Sequence, residues 1–494
     1  MNKHTILSID QGTSSSRAIV FAADGSQIAN AQQEFVQHYP KNGWVEHDPK
    51  DIWATTLSSC KAVLKEAALK DAYPACIGIT NQRETTLVWH RETGECIYPA
   101  IVWQDGRTAE YCNSMKASEP MLRAKTGLLL DPYFSASKIK WILDEVENAR
   151  ALAEQGLLAF GTVDTFLIWQ LSNGKSHFTD ATNASRTNLF NIHTQSWDDE
   201  LLDLFDIPHS MLPEVKNSAD DFGMTDAAVL GYELPICGVA GDQQAALFGQ
   251  SCFDAGQLKS TYGTGCFALL NTGNKAVMSE HHLLTTVAYR LNGKSVYALE
   301  GAIFTAGANI QWLRDGIGVI EHAKDSEALA KSLDYDHGVF LVPGFAGLGA
   351  PHWSPNARAS LFGMTRDTGP AHLTRAALEA VCYQTYELIQ AMRKDGMPLG
   401  SVWVDGGMVA NDWLCQFLSD VLQVEVNRPE IMESTALGAA FLAGLQHGIY
   451  QDLDDIASYK KTDKRFSPKL SDDIRQGLLK KWQLALQATL DFAN

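Results

Sequence analysis

The chain has 494 residues, 45% of them apolar and 20% charged, which is long enough for two to four packed domains and ordinary for a globular protein. Its formal net charge of −18 argues against a nucleic-acid or anionic-membrane partner, because either needs a basic surface. The N-terminus, Met1-Asn2-Lys3-His4, runs directly into an apolar strand with no secretory h-region, and no stretch is apolar enough to span a bilayer, so a cytoplasmic protein is expected.

The first predicted elements are two short strands, Thr5 to Ile9 and Ala18 to Phe21, joined by Asp10-Gln11-Gly12-Thr13-Ser14-Ser15-Ser16-Arg17. Gly12 lets the backbone bend so that successive N–H groups can face a phosphate, Thr13, Ser14 and Ser15 add hydroxyl donors, and Asp10 can hold a hydrated Mg²⁺. An ordinary hairpin with a solvated turn reads equally well at this point. Lys50 to Leu69 then has helical spacing, Cys76 to Thr80 is a short strand, and Thr85 to His90 pairs with Cys96 to Val102 as a hairpin turning at Glu92-Thr93-Gly94-Glu95. Between these, Arg83 and Glu84 end a strand, where an α/β sheet binds ligands. Such a pair could hydrogen-bond the vicinal hydroxyls of a polyol, or be a solvated ion pair worth ~0 to 1 kcal/mol. Leu234 to Ala240 is a buried strand running into Gly241-Asp242-Gln243-Gln244 and the helix Ala245 to Phe248. Asp242 reads as a helix N-cap or as the carboxylate that takes a proton from an attacking hydroxyl. The domain boundary is expected here, giving domains 1–250 and 251–494.

The second half repeats the theme. Leu258 to Thr261, the turn Tyr262-Gly263-Thr264-Gly265 and Cys266 to Leu270 form another strand, turn and strand. A strand at 296–300 and helices near Ala308 to Trp312 and Thr374 to Met392 follow. Val402 to Asp405 then runs into Gly406-Gly407-Met408 ahead of an amphipathic helix, Asn411 to Val424. Two Gly turns facing each other, with a third at a helix N-terminus, imply one nucleotide held between two similar halves. No Gly-x-x-x-x-Gly-Lys-Ser/Thr occurs, which excludes a P-loop. Asp452 to Ala457 and Lys460 to Phe466 read as polar connections, and from Ser471 as N-cap a final helix places Ile474, Leu478, Trp482, Leu486 and Leu490 on one docking face. Nine cysteines without Cys-x-x-Cys spacing read as reduced core thiols.

Over essentially its whole length the chain resembles the FGGY carbohydrate kinase family, in the branch that phosphorylates glycerol. The likeness is carried by Asp10 to Arg17, Ile79-Thr80-Asn81-Gln82-Arg83-Glu84-Thr85, Gly161-Thr162-Val163-Asp164-Thr165 and Ala240 to Gln250. Two family-wide signatures add to it, from Tyr133 through Lys138 to Glu145 and from Ala359 through His372 to Glu379. The resemblance implies an α/β, two-domain actin-like ATPase (ribonuclease H-like) fold with duplicated halves, and ATP, Mg²⁺ and glycerol meeting in the cleft. It implies Asp242 as general base and Arg83, Glu84, Trp103, Tyr133, Gln243 and Phe267 as glycerol contacts. It implies Thr13, Ser14, Ser15, Arg17, Thr264 and Gly307 on the phosphates, Gln311, Gly407 and Asn411 at the nucleoside, Asp10 on Mg²⁺, and a homodimer or homotetramer. The family's alternative substrates are sugars and other polyols, and a filament- or chaperone-type nucleotide module is the rival from another class. Two departures stand out. Gln104-Asp105-Gly106-Arg107 replaces the family's more basic sequence after Trp103, and Ala227 to Pro235 has neither the Gly-Gly-Thr-Arg stretch that binds fructose 1,6-bisphosphate in some bacterial members nor a regulatory His.

Overall fold

The computed structural model describes residues 4–493, so Met1 to Lys3 of the predicted N-terminal run lie outside the described residues. Each apolar run of the opening hairpin extends into its turn, giving antiparallel strands Thr5–Gln11 and Ser15–Ala22. With Gln27–Glu34, Pro74–Asn81 and Ile236–Gly241 they form a five-stranded sheet in which, counted along the chain, the order is third, second, first, fourth, fifth. The fourth and fifth strands run parallel to the first.

The second sheet repeats this arrangement. Leu258–Tyr262, Cys266–Gly273, Lys294–Ile303, Val402–Asp405 and Val426–Pro429 take the same order with the same directions, while Leu284–Leu291 and Thr462–Phe466 add edges to make seven strands. The fold is therefore α/β with duplicated halves, as expected. Because the central strands of each sheet are parallel, their carboxyl ends share one edge, and the turns read as phosphate clamps lie there.

Helix starts follow local chemistry. Asp48 caps Pro49–Ala68 by accepting from the Lys50 N–H at 2.8 Å, and Pro49 sits where a missing N–H costs nothing. The helix Ser434–Gln446 is built differently, from small and apolar residues throughout. In the chain it lies between Val426–Pro429 and Thr462–Phe466 of the second sheet, yet it packs on the first sheet and on the helix Asp242–Gly249. A Cβ on Gly438 would strike the Ala245 carbonyl and one on Gly78 would strike the Ala439 backbone, so main chains touch across this interface. Ser8 Oγ donates to the Ala436 carbonyl at 2.7 Å, and Ile6, Phe21, Leu247, Phe441 and Leu442 share one core there.

Four expectations change. Leu87–His90 pairs with Leu158–Gly161, and Cys96 and Ile101 reach the expected hairpin partner only through the single bridges Trp89–Cys96 and Thr86–Ile101. The segment at 452–457 is a helix, Leu453–Ser458, capped by Asp452, and the one at 460–466 is the edge strand Thr462–Phe466. Both are short and polar, with one buried apolar residue each, Ile456 and Phe466, so no period was available to read. In the final helix, Asp472–Ala493, Leu478, Trp482 and Leu486 are buried but Ile474 is 45% exposed, so docking begins one turn later than the pattern implied. All nine cysteines are unpaired, and among the described residues no helix is long and apolar enough to cross a membrane.

Candidate active site

Strand Pro74–Asn81 delivers Gln82, Arg83 and Glu84 to its carboxyl end, where all three are buried. Glu84 adopts φ 60°, a left-handed conformation that a Glu rarely takes and that marks a position held by its surroundings. The surface-pair reading of Arg83 and Glu84 therefore fails. Arg83 Nη1 and Nη2 donate to the two oxygens of Glu300 at 2.6 and 2.9 Å, Nη1 also reaches Gln244 at 3.2 Å, and Nε faces Asp242 Oδ1 at 3.2 Å. Glu84 receives the Arg186 Nε–H on Oε1 at 2.6 Å, while Arg186 Nη2 donates to Glu300 at 3.1 Å. The result is an alternating chain, Asp242, Arg83, Glu300, Arg186, Glu84, in which each guanidinium lies between two carboxylates. Burial works against the charge on Glu84 and raises its pKa despite Arg83 and Arg186.

Asp242 occupies the first turn of Asp242–Gly249, but the N-cap is Gly241, so the capping reading is set aside. Oδ1 accepts the Gln243 N–H at 2.7 Å and faces Arg83, which leaves Oδ2 without a partner among the described residues. Gln243 is fixed in turn by Lys259, whose Nζ donates to its side-chain oxygen at 2.6 Å. Trp103, Tyr133 and Phe267 form an aromatic wall, with Trp103 edge-on to Tyr133 at 5.6 Å and to Phe267 at 6.4 Å between ring centroids. Trp103 Nε1 donates to Thr13 Oγ1 at 3.0 Å, which ties this wall to the first phosphate turn. The structure thus brings Arg83, Glu84, Trp103, Tyr133, Asp242, Gln243 and Phe267 together around one floor.

The phosphate side is made of turns. Gly12 N–H closes the first on the Ser15 carbonyl at 2.9 Å, leaving Ser14 exposed at its tip. Asp10 lies below, its carboxyl pushed up to about 7 by burial and by the neighbouring Asp242, against the pull of Arg17. Arg17 is not free, because Nη1 pairs with Glu433. In the second half Gly263 and Thr264 are exposed, and the Thr264 carbonyl accepts from Ala306 at 2.9 Å and Ala308 at 3.1 Å, which seats Gly307 against the turn. Gln311 is exposed on the same short helix, Gly307–Gln311. At the third turn Gly406, not Gly407, carries the backbone demand. Gly406 has φ 92° and a Cβ there would meet the Tyr262 carbonyl at 2.5 Å, whereas a Cβ on Gly407 would meet nothing within 4 Å. Asn411 caps Asp412–Leu422 by accepting the Leu414 N–H at 3.0 Å.

Arg186, Glu300, Lys259 and Glu433 escaped the sequence reading. Glu300 left one trace, an acid amid the apolar strand residues Tyr297, Ala298 and Leu299. The departure after Trp103 is a locked structure, with Arg107 bound to Asp105 and Glu46 and stacked 3.8 Å over Trp44. An open cavity of about 950 Å³ lined by Tyr39, Asp48, Trp53, Cys96, Tyr98 and Phe166, among others, contains none of the predicted site residues.

Residues 5–249 match the FGGY family of carbohydrate kinases, N-terminal domain, and residues 258–447 match its C-terminal domain. The chain is 58% identical over 486 residues to glycerol kinase 1 of Pseudomonas aeruginosa, covering 98% of each, and equally similar to a glycerol kinase of Rhodospirillum centenum. The solved structure of Plasmodium falciparum glycerol kinase with ADP superposes with a TM-score of 0.93 at 37% identity, covering 99% of this chain and 98% of that one. A gluconate kinase from Lactobacillus acidophilus shares the fold, with a TM-score of 0.89 at 21% identity and coverage of 100% of this chain and 99% of that one.

Proposed function

The chain belongs to the FGGY family of carbohydrate kinases, and on that premise we infer that it phosphorylates glycerol with ATP to give sn-glycerol 3-phosphate. The observation that carries this is 58% identity to glycerol kinases along nearly the whole chain.

In our reading the aromatic wall of Trp103, Tyr133 and Phe267 takes the C–H face of glycerol, and its hydroxyls meet the remaining Arg83 Nη2 hydrogen, the free oxygen of Glu84 and Gln243. A terminal hydroxyl oxygen attacks the γ-phosphorus as its proton passes to Asp242 Oδ2, and the bond to the bridging oxygen breaks to release ADP. Thr13, Ser14, Ser15, Arg17, Thr264 and Gly307 would surround the phosphates, with Gln311, Gly407 and Asn411 at the nucleoside. Asp10 is the carboxylate we assign to Mg²⁺. Its pKa, raised chiefly by burial and further by Asp242 and Glu433, fits a position where a cation would stabilise the buried carboxylate. When bound, Mg²⁺ supplies positive charge to the phosphate oxygens.

Division of the chain at 250/251, a cytoplasmic location and a homodimer or homotetramer complete the proposal; light scattering tests the last. The deciding experiment is glycerol-dependent ADP release measured against a panel of polyols and ketoses. Glycerol should give the highest kcat/KM. A ketose turned over faster would overturn the substrate, and nucleotide binding without polyol-dependent turnover would favour the binding-module class.

A further inference from the structure

Glu300 sits in the middle of strand Lys294–Ile303 of the second sheet, yet all its side-chain hydrogen bonds go to the first half of the chain. It is 1% exposed, and its two oxygens take three donors, two from Arg83 and one from Arg186. Arg83 is thereby turned so that Nε meets Asp242, and Arg186 so that Nε meets Glu84. The same carboxylate therefore stands behind both polar arms of the substrate floor. Arg186 Nη1 is buried with no hydrogen-bond partner, so Glu84 and Glu300 are the two carboxylates that fix this guanidinium, which lies over the rings of Tyr133 and Phe134.

We propose that Glu300 is a positioning residue for glycerol: from the second half it sets the orientation of Arg83 directly and of Glu84 through Arg186, so that the substrate floor is complete only when the two halves are apposed. This rests on the reading of Arg83 and Glu84 as glycerol contacts. Burial opposes ionisation of Glu300, but Arg186 and Arg83 outweigh it and hold the carboxyl down to about 2, so the clamp is charged at any working pH. An amide in its place keeps the shape but turns an N–H toward a guanidinium, which cannot accept it. A structural role alone would disturb both substrates or neither. A positioning role disturbs glycerol, because a misplaced fork loses hydrogen bonds to a neutral ligand that has few others.

The test compares Glu300→Gln, Glu300→Asp and Glu84→Gln in the full-length enzyme by steady-state kinetics, with calorimetric titration of glycerol into each free enzyme. The expected result for Glu300→Gln is a rise of about tenfold or more in glycerol KM with the ATP KM within about twofold of the parent. Partial recovery in Glu300→Asp, which restores the charge, is also expected. Parent-like glycerol KM in folded Glu300→Gln, or equal losses for both substrates, overturns the proposal. If Glu300→Gln does not fold, Glu300→Asp decides: a glycerol-selective loss supports the role and parent-like glycerol binding rejects it. Unchanged glycerol KM in Glu84→Gln would reject the underlying site reading instead.

Discussion

On the side we assign to glycerol, Arg83 and Arg186 are 3% and 0% exposed and each is held by carboxylates from distant segments. On the phosphate side, Ser14, Gly263 and Thr264 are exposed, and what organises them is main-chain hydrogen bonding, Gly12 to Ser15 in the first turn and Ala306 and Ala308 to Thr264 in the second. The contrast follows from the two ligands. A polyphosphate brings its own charge, so bent backbone with free N–H groups and a little cation suffices. Glycerol is neutral and small, and it can be oriented only by polar groups that are themselves immobilised beforehand.

The sharpest test of that contrast is at Asp242, where the two sides meet. Asp242→Asn should keep the fold and nucleotide binding and lower kcat by ~10² to 10⁴, the usual worth of a general base. Because Gly241 is the cap, no loss of helix stability is expected to accompany it, and near-normal turnover would remove Asp242 from the chemistry.

Next in size is Arg83→Ala. If this side is a paired buried network, the change strands Glu300 and should cost about 3 to 5 kcal/mol of stability by denaturant titration, besides weakening glycerol. An equivalent change on the phosphate side, Ser14→Ala, should leave stability unaltered. A destabilised Ser14→Ala would erase the distinction between the two sides.

The third prediction divides two neighbouring glycines. Gly406→Ala should destabilise the free enzyme by roughly 1 to 3 kcal/mol, because its φ of 92° is strained for any L side chain and the new Cβ meets Tyr262. Gly407→Val should leave circular dichroism and calorimetric glycerol binding intact while raising the ATP KM. The reverse pattern would move the nucleotide contact to Gly406.

A smaller effect concerns pH. Burial raises the Asp10 pKa to about 7 in the folded protein, above its ordinary value of 3.8, so the stability of the free enzyme falls as pH rises between those values. On the proposal that Asp10 holds Mg²⁺, the ionised form binds Mg²⁺-nucleotide, so affinity should strengthen from pH 6 to 8, and Asp10→Asn should flatten that dependence. Affinity that falls over this range in the parent would contradict the assignment. The smallest expected effect is none at all. Fructose 1,6-bisphosphate at millimolar concentration should leave the rate unchanged, since Ala227–Leu230 is a single helical turn closed by Gly231 and the segment through Pro235 carries Glu233 and no arginine. A saturable fall at constant ionic strength and free Mg²⁺ would show otherwise.

The same contrast explains what could be read in advance. The three Gly turns are local, so their residues stand together in the sequence and strand periodicity places them at sheet edges. The buried network is not local. Arg83 and Glu300 are 217 positions apart and Arg186 lies 114 from Glu300, so nothing in a sequence window joins them. Trp103 and Phe267 entered only through the family resemblance, for the same reason. Gly406 and Gly407 look alike as letters, and only the approach of Tyr262 tells them apart.

The helix Ser434–Gln446 bears on how this chain could be taken apart. It is encoded far beyond the midpoint, yet its Ala436 carbonyl receives Ser8, its Gly438 sits against the main chain of Ala245 and its Ala439 against that of Gly78. A gene fragment ending at residue 250 would leave Ile6, Phe21 and Leu247 without their cover. Exchanging halves with a relative should therefore succeed only when this helix travels with the first sheet, or when the two parents share its small residues. A severed pair of halves would have to reassemble around it before either could work.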